Sequence, residues 1–356
     1  MIKIKNLKEI YQIKKEQKNP SIILLMGNED KNIIISDSDN VIHIYSSNNN
    51  FEEKLTINFT LKDNNNEIFF VSLMNKNDIL ITFKEIIKCI SIYKESIGNE
   101  VVFKYKELFS LSLNIKSFHF FQCISLKSLD NNYIVSSCVK EIIHSWILNN
   151  NNSDIYSRYR VKKVLSVCNK DTSCYLLEIP KLKLLVSCSF KDCVLKFFDL
   201  QQNFKFISKI SNFGQSYYEG CIRLINSYLF IVSGEGINGM LLIDAKYKEI
   251  VQHIQINGYL GKINSIYADE VYNDLYPKDI FFIIGGIFID NKKIISYDFQ
   301  QYEINNGEIK LINQKDNVHE EKISSIIVYN ECPLNSKINK YYFWSASKSV
   351  IKIWSN

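Results

Sequence analysis

The 356-residue chain reads as an all-β protein, a seven-bladed β-propeller of four-stranded antiparallel blades. Three observations predict it. A pair of short strands joined by a polar turn recurs along the whole chain at intervals of about 50 residues, the period expected of a blade array. Apolar residues come in strand-length stretches rich in Ile, Val, Tyr and Phe, with hardly any helical periodicity. The two ends of the chain hold complementary fractions of one unit.

The elements follow in order. Leu7–Ile13, LKEIYQI, precedes the first unit and belongs to no other. In the first unit Ser21–Leu25 is the inner strand, Ile33–Tyr45 (IIISDSDNVIHIY) holds the second and third around a polar turn, and Leu55–Thr60 is the fourth. The second unit reads Ile68–Leu73, Ile79–Tyr93, Val101–Tyr105, and the third Ser117–Ile124, Tyr133–Trp146, Ile155–Arg160. The fourth reads Cys174–Ile179, Leu184–Asp199, Phe204–Ile210, and the fifth Cys221–Ile225, Leu229–Asp244, Ile250–Ile256. The sixth is Lys262–Ile266, Phe282–Asp298, Ile309–Asn313; the seventh, Ile323–Val328 and Phe343–Trp354, stops two residues before the end. The third strands end at Tyr45, Tyr93, Trp146, Phe198, Ile243, Tyr297 and Trp354, separated by 48, 53, 52, 45, 54 and 57 residues.

The last unit therefore lacks its outermost strand, and Leu7–Ile13 is the piece that completes it and closes the ring. A single blade cannot bury both of its faces, but blades packed face to face can, so the strands are apolar on both sides. Residues 1–356 are expected to form one domain, although length alone would suggest about two.

Particular residues recur within the units. Second strands end in Ser36 and Ser38, Ser187 and Ser189, and Ser345 and Ser347, with Ser136, Ser137 and Ser233 in part. Asp39 and Asp192 stand in the following turn, six residues before Tyr45 and Phe198. Phe198–Asp199 and Tyr297–Asp298 close third strands, Trp146 and Trp354 supply closing indoles, and His319 lies four residues before Ile323. On these residues the units resemble WD repeats over nearly the whole chain. The resemblance implies a buried hydrogen-bond network of His, Ser, Asp and Trp within a blade, which helps only when all its members are satisfied. No unit carries the full set: the last has His319, a serine and Trp354, with Lys348 at the Asp position.

Composition narrows the function. The chain holds 56 Ile, 40 Lys and 39 Asn against 3 Arg and 4 Pro, a coding bias toward A and T that lowers the weight of every lysine patch and of the asparagine runs between strands. An apolar content of 46% with 23% charged residues is that of a chain that folds. The net charge of +5 is spread without a long block of one sign, and only Arg158, Arg160 and Arg223 could offer guanidinium contacts, which argues against nucleic acid as the main partner. Met1–Lys15 has no apolar core of a secretory signal, and the longest apolar run, Phe281–Ile289, is nine residues, about half of a membrane-spanning helix. An intracellular protein, cytoplasmic or nuclear, without a membrane span is expected. Nine cysteines without a C-x-x-C pair read as reduced, buried thiols, with no metal and no cofactor.

Catalytic patterns are absent: no G-x-S-x-G, no H-E-x-x-H, no phosphate-binding Gly-Lys-Ser. His43, His144 and His253 alternate along strands as blade-face residues, and Gly234, Gly236 and Gly239 read as a turn because Met240–Ile243 continues as a strand. Lys162 and Lys163 with Arg158 and Arg160 form a modest basic cluster at a strand and the turn after it, without the adjacent arginines of phosphoinositide-binding relatives of the fold. The recognition candidate is the sixth unit's excursion, YADEVYNDLYPKD, where Tyr267, Tyr272 and Tyr276 are interleaved with Asp269, Glu270, Asp274 and Asp279. Tyrosines offer rigid amphipathic contact area and the carboxylates suit a basic partner; the alternative is a loop that packs its tyrosines back onto the blades. A second excursion, Asn330–Lys340, leaves the same side. The family resemblance implies a non-enzymatic scaffold that binds other proteins as a complex subunit. The rivals are a propeller-type hydrolase or methylesterase, and a lipid- or RNA-binding accessory module.

Overall fold

The computed structural model describes residues 7–14, 22–26, 32–36, 40–46, 51–59, 68–98, 100–112, 120–129, 133–138, 142–148, 159–166, 174–215, 220–234, 237, 239–255, 265–268, 280–290, 293–305, 308–321, 323, 325–331, 340–347 and 349–355. Among these the chain forms 28 strands in seven four-stranded sheets, and every register observed between neighbouring strands is antiparallel. They fall in two compact units.

The unit Leu24–Ile207 holds four sheets. Sheet 1 is β2 (Ile22–Met26), β3 (Asn32–Ser36), β4 (Val41–Ser46) and β5 (Glu53–Asn58); sheet 2 is β6 (Ile68–Leu73), β7 (Asp78–Phe83), β8 (Ile86–Ile97) and β9 (Glu100–Ser112). Sheet 3 is β10 (Phe120–Leu126), β11 (Tyr133–Cys138), β12 (Ile142–Leu148) and β13 (Tyr159–Ser166); sheet 4 is β14 (Tyr175–Ile179), β15 (Leu184–Ser189), β16 (Val194–Asp199) and β17 (Lys205–Ser211). The other unit, Met1–Ile23 with Ser208–Asn356, holds three. Sheet 5 is β18 (Gly220–Leu224), β19 (Leu229–Gly234), β20 (Gly239–Asp244) and β21 (Glu249–Gln255); sheet 6 is β22 (Ser265–Ala268), β23 (Ile280–Asp290), β24 (Lys293–Asn305) and β25 (Glu308–His319). Sheet 7 is β26 (Ser325–Glu331), β27 (Lys340–Ala346) and β28 (Val350–Ser355), completed at its edge by β1 (Lys8–Lys14).

Burial follows the rule that a middle strand is covered on both faces. All six residues of β15, β19 and β20 are buried, whereas the outer strand β17 alternates between exposed and half-buried positions. Leu126, Val135 and Ile143 of sheet 3 pack against Leu176, Leu185, Phe198 and Phe204 of sheet 4. Sheets 2 and 3 share a core of Leu80, Ile87 and Phe109 with Ile134 and Trp146. At about 1.5–3 kcal/mol for each fully buried aliphatic or aromatic side chain, these faces are the main source of stability.

Polar side chains then fix the spacing between sheets. Gln122 accepts from the Leu176 amide (2.6 Å) and donates to the Leu176 carbonyl (3.3 Å), adding a two-bond clamp. The carboxylate of Glu178 accepts from the amides of Lys127 and Ser128, both at 2.7 Å, and from the Ser128 hydroxyl at 2.6 Å. In the second unit the Ile309 amide donates to Gln252 Oε1 at 2.8 Å.

The expected completion of the last sheet is observed. β1 runs antiparallel to β28 from Lys8 opposite Ser355 to Lys14 opposite Val350, Glu9 meets Lys352 at 3.1 Å, and Leu7 is buried with Phe299, Phe343 and Trp354. The expected strands match within a few residues, with three departures. β13 is Tyr159–Ser166 rather than Ile155–Arg160, because its place is set by the partner strand, with Trp146 opposite Val161. β8 and β9 run beyond Tyr93 and start before Val101, and β24 and β25 likewise form a hairpin of 13 and 12 residues.

Removing residues 1–14 strips the outer strand from sheet 7 and should lower the melting temperature; Leu7→Ala alone should cost about 2–5 kcal/mol in denaturant titration. An unchanged transition in both would contradict the structural role of β1.

Candidate protein-docking surface

The repeat residues form partial networks. In sheet 7 the Trp354 indole donates to Ser345 Oγ at 3.0 Å, and the same oxygen lies 2.7 Å from His319 Nε2, all three residues being buried. In sheet 3 the Trp146 indole donates to Ser136 Oγ at 3.1 Å; in sheet 4 Ser189 Oγ donates to Asp192 at 3.2 Å and accepts from its amide at 3.3 Å. Ser36, Tyr45 and Phe198 are buried, Tyr297 pairs with His319 across β24 and β25, and Asp39 lies outside the described residues. The register between third and fourth strands shifts just before Tyr45, Trp146 and Ile243. The equivalent shift falls before Ile90 in sheet 2, three residues ahead of Tyr93, and sheet 6 has two shifts, between Tyr297 and Phe299 and between Gln301 and Tyr302.

Among the described residues, His43, His253 and the cysteines of sheets 2 and 3 are engaged within and between strands. His43 Nδ1 lies 2.8 Å from Glu53 Oε1 and 3.5 Å from Thr56 Oγ1. Carboxylate and hydroxyl thus crowd one ring nitrogen, whereas a nucleophile relay needs them on opposite nitrogens. His253 Nε2 meets the Ile237 carbonyl at 3.0 Å. Cys89, Cys123 and Cys138 are fully buried between sheets 2 and 3, and burial raises all three thiols, Cys138 to about 12, which keeps them as unreactive hydrophobes. Among the described residues no three His, Cys, Asp or Glu side chains are placed to hold a metal ion, and no helix is long and apolar enough to cross a membrane. Lys162, Lys163 and Arg160 all fall within β13, so this basic cluster is a strand and not a strand with its following turn; Arg158 lies outside the described residues. Gly234 and Gly239 face each other across the β19–β20 turn, as a hairpin and not a phosphate loop.

Of the predicted recognition loop, Tyr267 sits on β22 opposite Ile283, while Asp269, Glu270, Tyr272, Asp274 and Tyr276 lie outside the described residues. The second excursion begins at Asn330 and Glu331, paired with Tyr341 and Lys340, and residues 332–339 are likewise outside.

A surface that the sequence reading missed is the hairpin of β8 and β9. The β7 side reaches Asp78 opposite Ser91, and the Ile92 amide still donates to the Asn77 carbonyl at 2.9 Å, so beyond the buried Ile92 the strand β8 has only β9 beside it, and Tyr93–Ile97 with Glu100–Tyr105 project as a two-stranded arm. Gly98, at φ +64°, makes the turn; with Asn99 it is a Gly-Asn dipeptide between alternating residues, the signal that could have revealed the hairpin. Ile97 and Val101 are 53% and 60% exposed, and Tyr93, Val102 and Tyr105 are exposed as well. Lys94 lies over the Phe103 ring opposite it (5.2 Å to the centroid), and Lys104 pairs with Glu95, so the arm is braced by its own side chains. The other long hairpin, β24–β25, contrasts with it: Tyr302, Ile304 and Ile309 are buried against Ile225, Leu229 and Leu242 of sheet 5.

No protein-family model matches the chain, and no curated protein matches it in sequence. Solved structures do match. The WD40 domain of Toxoplasma gondii coronin superposes with a TM-score of 0.62 at 13% identity, over 99% of this chain and 86% of that one. Sqt1 of Saccharomyces cerevisiae gives 0.62 at 10% identity over 97% and 98%. Raptor of Chaetomium thermophilum gives 0.63 at 11% identity over 98% of this chain, which spans 29% of the Raptor chain. The likeness establishes the fold, a WD40-type β-propeller of antiparallel blades.

The sheet 7 network has a pH signature. Burial, and then the charge of Lys352, push His319 from 6.5 down to about 3. The folded chain holds the ring neutral while the unfolded chain protonates it, so this residue's contribution is intact above pH 6.5 and is lost as pH falls toward about 3. The slope is at most about 1.4 kcal/mol per pH unit. Urea titrations from pH 7 to 4 should show His319→Gln flattening that dependence by one proton, and Ser345→Ala costing about 1–3 kcal/mol for each polar group it orphans. Equal slopes for wild type and His319→Gln would contradict the buried neutral ring.

Proposed function

We propose that residues 1–356 form one seven-bladed propeller that acts, without catalysis of its own, as an intracellular platform on which other proteins assemble. The observation that carries this reading is the arm: Tyr93, Ile97, Val101, Val102 and Tyr105 stand exposed on a hairpin that its own turn and cross-strand pairs hold in place. Aromatic and aliphatic side chains on a pre-ordered ribbon suit a docking surface, because little conformational freedom remains to be lost when a partner binds. The sheets behind it, buried on both faces, give the arm a rigid base. The excursion carrying Tyr267, Asp269, Glu270, Tyr272, Asp274 and Tyr276 offers a second contact suited to a basic partner.

The WD40-type likeness supports this reading at the level of fold only, since one fold hosts many functions. Tyr93→Ser with Val101→Ser, and separately Tyr272→Ala with Tyr276→Ala, should each keep the wild-type melting temperature and lose a subset of proteins recovered by affinity purification from the native cell. Recovery of the same proteins by both variants and by wild type would contradict the platform.

A further inference from the structure

We infer that the outer edge of β9 is a self-pairing edge, and that two copies of this chain join by antiparallel pairing of their arms about a two-fold axis through Phe103. The inference rests on the arm being a docking element and names its occupant. An edge strand presents a row of unpaired backbone donors and acceptors, which native proteins cover or use. In the arm both strands have one such edge: β8 beyond Ile92, whose amide donates to the Asn77 carbonyl, and β9 because it is the last strand of its sheet.

Symmetry limits how the edges can meet. Residues directly opposite in an antiparallel pair share a face, so the two-fold axis must pass through a residue. Centred on Phe103, the pairing sets Phe103 against its own copy, Val101 against Tyr105, and Glu100 against Lys106. Val101, Phe103 and Tyr105 lie on one face of β9, opposite Ser96, Lys94 and Ile92, so the joined sheet gathers six apolar residues on a single side. Glu100 and Lys106 lie on the other face, both exposed and both without an ion-pair partner among the described residues, and the pairing matches them twice by symmetry. Lys94, Glu95 and Lys104 are already engaged within the arm.

Neighbouring choices are worse. An axis through Lys104 sets Lys104 against itself and Val101 against Glu107; one through Val102 sets Glu100 against Lys104, which Glu95 already holds, and leaves Tyr105 opposite the turn. On the β8 edge, axes through Lys94 or Glu95 bring like charges together, which disfavours that edge.

The test is sedimentation velocity of the full chain across concentration. Wild type should pass from monomer to dimer. Phe103→Lys should be monomeric, since it places like charges at the axis. Glu100→Lys should weaken the dimer by about tenfold or more, and Glu100→Lys with Lys106→Glu should restore it. Phe103→Cys should cross-link to its own copy under mild oxidation. A wild-type chain that is monomeric at every concentration, a dimer that survives Phe103→Lys, or a charge swap that fails to restore association would each overturn the inference. Loss of other proteins on arm substitution in a monomeric wild type would overturn self-pairing and leave the platform standing; a wild-type dimer that recovers no other protein would do the reverse.

Discussion

A four-stranded sheet with two apolar faces has no stable existence alone, and this constraint organises the rest of the molecule. β15, β19 and β20 have no exposed side, so their Ile, Leu, Val and Met side chains are kept from water on both faces. Where neighbouring sheets are seen together, the covering is direct: Trp146 against Leu80 and Ile87, Phe198 and Phe204 against Leu126 and Val135, Tyr302 against Leu229 and Met240. The same requirement accounts for the strand borrowed from the N-terminus, since without β1 the edge of β28 and one side of Trp354 would lie open.

Face packing alone is non-directional, and polar clamps supply the geometry. Gln122, Glu178 and Gln252 each reach from one sheet to the backbone of the next or to its turn, which sets how far adjacent sheets may slide. The Trp354, Ser345 and His319 set does the same between sheets 6 and 7, His319 ending β25 while Ser345 and Trp354 stand on β27 and β28. Apart from the half-buried Gln252 these groups are buried and satisfied, which is the condition under which a polar cluster adds specificity. The β8–β9 arm is the contrasting case: it lies beyond the point where β7 ends, so nothing in its own sheet requires its apolar residues to be covered.

Much of this was legible in the sequence. Ile68–Leu73 coincides with β6, the pairing of Leu7–Ile13 beside the last strand was readable from the incomplete final unit, and His319 was placed with a serine and Trp354 by their spacing. What escaped reading lies where pattern and burial part. Closing each third strand at an aromatic ended the second unit at Tyr93, yet the register places Ile90 at that position and leaves Tyr93 exposed. β13 shifted because pairing with the partner strand, Trp146 opposite Val161, and not its own apolar pattern sets its register.

Stability resides in sheets covered on both faces, and the β8–β9 arm stands outside that core as a surface proposed for binding. Hydrogen exchange of dilute full-length protein, resolved by peptide, tests it most directly. Amides of β15, β19 and β20 should exchange slowest in the chain, and those of Tyr93–Ile97 and Val101–Tyr105 orders of magnitude faster. Arm amides protected as strongly as those of β20 in dilute solution would contradict the account, because the arm would then be part of the core.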